Sequence, residues 1–419
     1  MRKLPDRQGK RSLRTWRRRL LLVLSGIIFG LVLVEIGLRL IGFSYPEFYV
    51  SDAKRGYSLR PNMEGWYRKE GKAYVRINSD GLRDREHSKI KPPNTFRIAV
   101  LGDSFVEALQ VPFEESFCHV VEQQLRNCPV MAGRGVEVIN FGVSGYGTAQ
   151  ELITLRNQVW QYSPDLILLA VTTNNDISDN SQALKKTNQI PYFVGRDEGL
   201  VEDDSFLQTR SFQSRNNFLG LAGRWFRDHL RLVQAVQQAA FAVRVMREQR
   251  AAAKSSHSEK PTTAPQISVT PTDELGVDNL IYREPSDPAW VNAWTVTEQL
   301  IKTMGNEVES KGVVFAVITL SNPPQVLPTP ASREAFLQRV GARDIFYPDN
   351  RIAQFCRREG IAVATLAPAM QQYAQQNNVM LHGFGKDLGN GHWNVAGHQI
   401  AGQLAAEEIC KLLANRKLQ

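Results

Sequence analysis

Three short stretches of this chain carry a hydroxyl, a glycine and a side-chain amide that could gather around one reacting atom. Gly102-Asp103-Ser104 follows the apolar run 96–101. A serine at a strand-to-helix turn can attack a carbonyl carbon, and its own backbone N–H can help hold the oxyanion that forms. The helix start expected there adds unpaired N–H groups and a positive dipole end. Gly145 follows the apolar run 136–140 and lets the backbone approach a ligand closely. Asn175 follows the run 165–171 and supplies an amide donor. Three donors converging on one point would form an oxyanion hole, each worth about 3–4 kcal/mol in well-studied hydrolases.

Such a serine needs a base. The segment 389–398, Gly-Asn-Gly-His-Trp-Asn-Val-Ala-Gly-His, offers His392 and His398. His392 lies on the loop side of a helix start. His398 falls inside the helical pattern, where a histidine is more often a packed residue, so His392 is the better base. Singly these signals are weak, because a serine at a turn is usually an N-cap. Their order along the chain is what carries information.

The elements that must position these residues are legible as texture. The runs 96–101, 136–140 and 165–171 read as strands, with helical periodicity over 113–125 and 148–162 between them. The pattern resumes with a helix at 289–311, a strand at 313–320, a helix at 350–359, a strand at 361–366 and a helix at 395–413. Near-continuous apolar strands alternating with helices predict a parallel sheet covered on both faces. Sites in such sheets lie outside the carboxyl ends of the strands. Residues 43–95 read as a polar lead-in with a hairpin at Asp80-Gly81. The domain 96–415 is interrupted at about 183–285. Within that insertion, 212–250 reads as basic amphipathic helices, and 251–272 is rich in Ala, Ser, Thr and Pro and reads as a disordered surface segment. The helices suit either an anionic membrane surface or a solvated lid or pair on the sheet edge; the second is the expectation.

The 419 residues, 42% hydrophobic and 22% charged, exclude global disorder and suit one large domain with attachments, or two domains. The net charge of +9 is local: residues 1–19 hold nine Lys or Arg against Asp6. The body of the protein is therefore close to neutral, which argues against a nucleic-acid partner. An apolar stretch over 20–42 follows, about long enough to cross a ~30 Å bilayer core as a helix. Glu35 and Arg39, four apart, would pair near the far interface. The charge bias puts 1–19 in the cytoplasm and the rest across the membrane. A cleaved signal peptide is the alternative, but no Ala-x-Ala site follows the stretch. Cys118, Cys128, Cys356 and Cys410 allow three pairings if oxidised, or stay reduced and buried. No Cys/His metal spacing, Walker lysine loop or Gly-x-Gly-x-x-Gly occurs, so no metal, nucleotide or other cofactor is expected.

In block order the sequence resembles the SGNH (GDSL-type) hydrolase family. Its first block resembles Val100-Leu-Gly-Asp-Ser-Phe105, its second Asn140-Phe-Gly-Val-Ser-Gly145, its third Asn175-Asp176, and its last His392-Trp-Asn394 with Gly397-His398. The resemblance covers about 96–182 and 289–415. It implies a flavodoxin-like three-layer α/β/α sandwich. It also implies Ser104 as nucleophile, His392 as base, and the Ser104 N–H, Gly145 N–H and Asn175 amide as oxyanion donors. Family members cleave esters and thioesters, several on acylated carbohydrates. One departure matters. The family's last block usually carries an Asp three or two residues before the histidine, and here those positions are Gly389 and Asn390. The nearest upstream acid, Asp387, is the candidate orienting residue. Alternatives are another carboxylate, a dyad oriented by Asn390 or a backbone carbonyl, or a non-catalytic protein. Removing the carboxylate from a triad can cost ~10⁴ in turnover. The resulting expectation is a single-pass inner-membrane protein with a periplasmic serine esterase domain, acting on O-acyl groups, often acetyl, of an exported or cell-envelope glycan. An acyltransferase using the same serine, and a glycan-binding or polysaccharide-assembly component, are the rival readings.

Overall fold

The computed structural model describes residues 7–196, 199–256 and 279–417, which form two compact units. The first unit joins the N-terminal helix Arg7–Leu40 to the helices Phe218–His229 and Arg231–Ser256. Its stretch Thr15–Leu40 is long and apolar enough to cross a membrane, and its apolar side chains are exposed along its length. Two helices fill most of the stretch 212–250, and both belong to the first unit. The Arg231–Ser256 helix packs on the N-terminal helix, and Phe218–His229 packs on Arg231–Ser256. Residues 251–256 are the end of the Arg231–Ser256 helix, and the remainder of the segment expected to be disordered lies outside the described residues.

In the second unit four short strands precede the main sheet: β1 (Tyr49–Asp52), β2 (Gly56–Leu59), β3 (Glu64–Tyr67) and β4 (Ala73–Arg76). They form two antiparallel pairs, β1 with β2 and β3 with β4, the latter matching Trp66 to Tyr74. Residues 68–72 are thus the tip of a hairpin. The hairpin expected at Asp80-Gly81 is only a turn. There the Asn78 Oδ1 accepts from the N–H groups of Asp80 and Leu82 at 3.0 and 2.9 Å, and no strands pair across it.

The central sheet uses β5 (Thr95–Leu101), β6 (Gly135–Asn140), β7 (Leu166–Thr172), β10 (Val314–Leu320) and β11 (Ala362–Thr365). Between β7 and β10 lies a further hairpin, β8 (Tyr192–Arg196) with β9 (Gly199–Asp203), which the sequence texture did not announce. The central strands lie in the order β11-β10-β7-β5-β6, all parallel. Side-chain alternation fills two cores. Ala99, Leu101, Ile167 and Leu169 face the helices Thr148–Asn157 and Pro288–Ser310. Ile98, Val100, Leu166 and Leu168 face the helices Phe117–Leu125 and Val395–Lys417. This is the expected flavodoxin-like α/β/α sandwich. The chain leaves β5 for β6 on one side and then crosses to β7 on the other. Loops diverging from such a switch point leave a crevice at the carboxyl edge.

Among the four cysteines, Cys128 and Cys410 form a disulfide that ties the turn after Phe117–Leu125 to the C-terminal helix. Cys118 and Cys356 are free and buried.

Candidate active site

The turn at Ser104 is shaped by contacts that admit no larger residue. At Gly102 a Cβ would lie 2.4 Å from the Val106 side chain, and at Gly142 one would lie 2.5 Å from the Glu107 nitrogen. Asn140 joins the two loops. Its amide donates to the Val106 carbonyl at 2.8 Å, and its Oδ1 accepts from Gly142 N–H at 2.8 Å. Ser104 opens a helix of only four residues, Ser104–Glu107, capped by Asp103, whose carboxylate accepts from Phe105 N–H at 3.0 Å. The helix-dipole contribution expected at Ser104 is therefore small, because one turn sums few peptide dipoles. The Ser104 N–H itself remains as a donor.

Asp103 is fully buried and ties this turn to the loop after β7. Its Oδ1 accepts from the Thr172 hydroxyl at 2.9 Å and its Oδ2 from the Asn175 amide at 3.1 Å. An amide nitrogen carries two hydrogens, so Asn175 keeps one for a ligand. Gly145, in the loop after the neighbouring β6, has a positive φ of 74°. Tyr57 fixes that loop by donating to the Ser144 carbonyl at 2.8 Å, while Tyr146 donates to the Tyr57 carbonyl at 2.5 Å. Ser104, Gly145 and Asn175 thus sit on loops after three adjacent strands. Asp176 is buried and turned elsewhere, accepting from Thr172 N–H at 2.7 Å; burial, then the Glu151 carboxyl, pushes it well up.

His392 Nε2 lies 2.8 Å from Ser104 Oγ, and its ring packs on Phe105 at 5.2 Å. The acid on its other nitrogen is not Asp387, which is exposed on the loop surface. It is Glu70, from the tip of the β3–β4 hairpin. Glu70 Oε2 pairs with His392 Nδ1, and Oε1 accepts from His392 N–H at 2.7 Å. Burial opposes ionisation of Glu70, but the hydrogen bonds and charge of His392 outweigh it, and the carboxyl is held below its ordinary range. Two glycines make the approach possible. A Cβ on Gly391, at φ +83°, would lie 2.2 Å from Glu70 Oε1, and one on Gly71 would lie 2.4 Å from the Gln110 carbonyl.

The histidine loop is itself clamped. His382 bridges to Trp393, and Gly383 N–H donates to the His392 carbonyl at 2.8 Å. Trp393 Nε1 donates to Ser321 Oγ at 2.8 Å; that hydroxyl lies 3.1 Å from His382 Nε2, and His382 Nδ1 lies 2.8 Å from the Gly391 carbonyl. Every partner in this chain is satisfied by a neutral His382 that donates from Nδ1 and accepts at Nε2. Burial, helped by the neighbouring His392, pushes its pKa down to about 3. His398 is buried inside the Val395–Lys417 helix against Trp393, and burial pushes its pKa well down too, so it is no base for Ser104.

The structure thus gathers Ser104, His392 and Asn175, places Gly145 on the next loop, and replaces Asp387 by Glu70. A hydroxyl 2.8 Å from an imidazole held by a carboxylate can lose its proton to that imidazole as it attacks an electrophile. No metal-binding cluster of His, Cys, Asp or Glu occurs among the described residues.

No protein-family model matches this chain, and no curated protein matches it in sequence. Solved structures do overlap with it. LAE5, an alpha/beta hydrolase enzyme from the metagenome of Lake Arreo in Spain, is 12% identical with a TM-score of 0.35, over 75% of this chain and 95% of its own. Axe2, an acetylxylan esterase from Geobacillus stearothermophilus, is 11% identical with a TM-score of 0.34, over 77% and 96%. The acetyl xylan esterase AlAXEase is 9% identical with a TM-score of 0.35, over 76% and 99%. These overlaps are distant, and what the site can do is decided by its own geometry.

Proposed function

We propose that the protein is a membrane-anchored serine esterase of the SGNH type, with Ser104, His392 and Glu70 as its triad. The observation that carries this is the unbroken relay from carboxylate through imidazole to hydroxyl. In the reaction, Ser104 Oγ bonds to the ester carbonyl carbon while its proton passes to His392 Nε2. The oxyanion is held by the N–H groups of Ser104 and Gly145 and the Asn175 amide. As the oxyanion collapses, the bond to the alcohol breaks, and His392 returns its proton to the departing oxygen. Water then attacks the acyl-enzyme, His392 takes and returns a proton again, and a carboxylic acid leaves with Ser104 regenerated. Glu70 keeps the imidazole in the right tautomer and stabilises its charged form.

Ser104 is only 1% exposed, which suits a small acyl group such as acetyl. The hairpin that delivers Glu70 exposes Trp66 and Tyr74 edge to face at 5.6 Å, with Arg68 and Lys72 over the Trp66 ring at 5.7 and 5.3 Å. Exposed rings flanked by cations suit a sugar chain, which supports an acylated exported glycan as the substrate. The apolar N-terminal helix and the Cys128–Cys410 disulfide support anchoring with the catalytic unit on the oxidising side. The test is hydrolysis of p-nitrophenyl acetate by the full chain in detergent. Ser104→Ala is expected to lower turnover by at least about 10³-fold. Equal rates for the two proteins, both at background, would overturn the reading.

A further inference from the structure

Among the described residues, the Phe218–His229 helix leaves an apolar face unpartnered beside the membrane-type helix of its own unit. Phe218 is 83% and Leu219 76% exposed, and Leu221, Trp225 and Phe226 are exposed with them. Five large apolar side chains on twelve residues form a patch that water does not tolerate without a partner.

The height of this helix is fixed by Glu35. In the N-terminal helix, Glu35 pairs with Arg39 at 2.8 Å and also accepts the N–H groups of Arg231 and Leu232 at 3.0 and 2.9 Å. Those N–H groups belong to the first turn of the Arg231–Ser256 helix. Arg39 donates to the His229 carbonyl at 2.6 Å, Arg231 donates to Ser44 Oγ at 2.8 Å, and Gln234 Oε1 accepts from Tyr45 N–H at 2.9 Å. The corner between the two helices is therefore lashed to residues 35–45. With Leu20 at the cytoplasmic boundary, Glu35 lies about 22 Å along the helix, inside a hydrocarbon core of ~30 Å. A helix end held at that depth cannot stand in bulk water.

We infer that the Phe218–His229 helix is a second membrane contact, seated in the outer leaflet's interface with its apolar side chains among the acyl chains. The inference rests on the reading of 20–42 as a membrane span. Trp225 suits the headgroup level, and Arg224 and Arg227 on the same helix complement anionic phosphates. Glu35, costly in lipid by itself, is compensated by the helix end it caps.

The test uses the full chain reconstituted in vesicles of phosphatidylcholine and phosphatidylglycerol, with an environment-sensitive fluorophore on single introduced cysteines. Leu219→Cys reports on the helix, Leu31→Cys on the span, and Ile90→Cys, exposed in the other unit, on solvent. The native free thiols are buried. Brominated lipids are expected to quench the probes at 219 and 31 and to spare the one at 90. Quenching at 31 with none at 219 overturns the inference and leaves the anchor standing. No quenching at either position overturns both.

Discussion

Glu70 grips His392 with both carboxylate oxygens, although 322 positions separate them. One oxygen accepts the backbone N–H at 2.7 Å and the other pairs with Nδ1. That grip fixes the loop and the ring together. It places the ring hydrogen at Nδ1, so that the lone pair at Nε2 faces the Ser104 hydroxyl. The absence of an acid at positions 389 and 390 thus ceases to favour a dyad or a non-catalytic protein.

The role of Glu70 separates from that of Asp387 by mutation. Glu70→Gln keeps the shape but not the charge, and turnover on p-nitrophenyl acetate is expected to fall by about 10²–10⁴ with little change in KM. Asp387→Asn is expected to retain wild-type turnover. The opposite pattern, loss at 387 and none at 70, would remove Glu70 from the relay.

Gly391 admits the Glu70 carboxylate, since a Cβ there would lie 2.2 Å from its Oε1. Gly391→Ala is expected to lose turnover as Glu70→Gln does. The double variant should be no worse than either single one, because both break the same contact. Multiplying losses in the double variant would show that Gly391 acts elsewhere.

Sequence texture revealed what repeats locally and concealed what is joined from afar. The strands of the central sheet announce themselves because they are buried on both faces, and the blocks at their ends follow from chain order. Glu70 does not announce itself. It sits in a charged tip, Arg68-Lys-Glu-Gly-Lys72, that reads as a solvated turn, and its partner is hundreds of residues away. The one local hint was a glycine on each side of the contact, Gly71 and Gly391, both at positive φ. The packing of the Arg231–Ser256 helix on the N-terminal helix was hidden for the same reason. It depends on Glu35 meeting backbone N–H groups, and backbone groups leave no trace in composition.

His382 gives a pH dependence with a definite sign. Its folded pKa of about 3 lies below the ordinary value of 6.5. Above pH 6.5 both folded and unfolded chains hold it neutral, and its contribution is complete. Below that the unfolded chain binds a proton that the folded one refuses, so stability is lost as pH falls towards about 3, by roughly 1.4 kcal/mol per pH unit. His382→Gln cannot bind that proton. The variant is expected to be less stable than wild type at pH 7.5, with the gap in unfolding free energy closing by about 3 kcal/mol by pH 4.5. A gap independent of pH would show that His382 takes up its proton in the folded protein as readily as in the unfolded chain.

The disulfide can be counted directly. Denatured without reductant, the chain is expected to expose the two thiols of Cys118 and Cys356 to an alkylating reagent, and all four after reduction. Cys128→Ser should then liberate Cys410, giving three reactive thiols without reductant, and lower stability by about 2–5 kcal/mol. The bond closes a loop across 282 positions, from the turn after one helix to the C-terminal helix packed beside it. Its loss therefore falls on the face of the sheet that carries Trp393 and, one residue before it, the His392 imidazole. Four reactive thiols in the unreduced wild-type chain would show that the pair stays open.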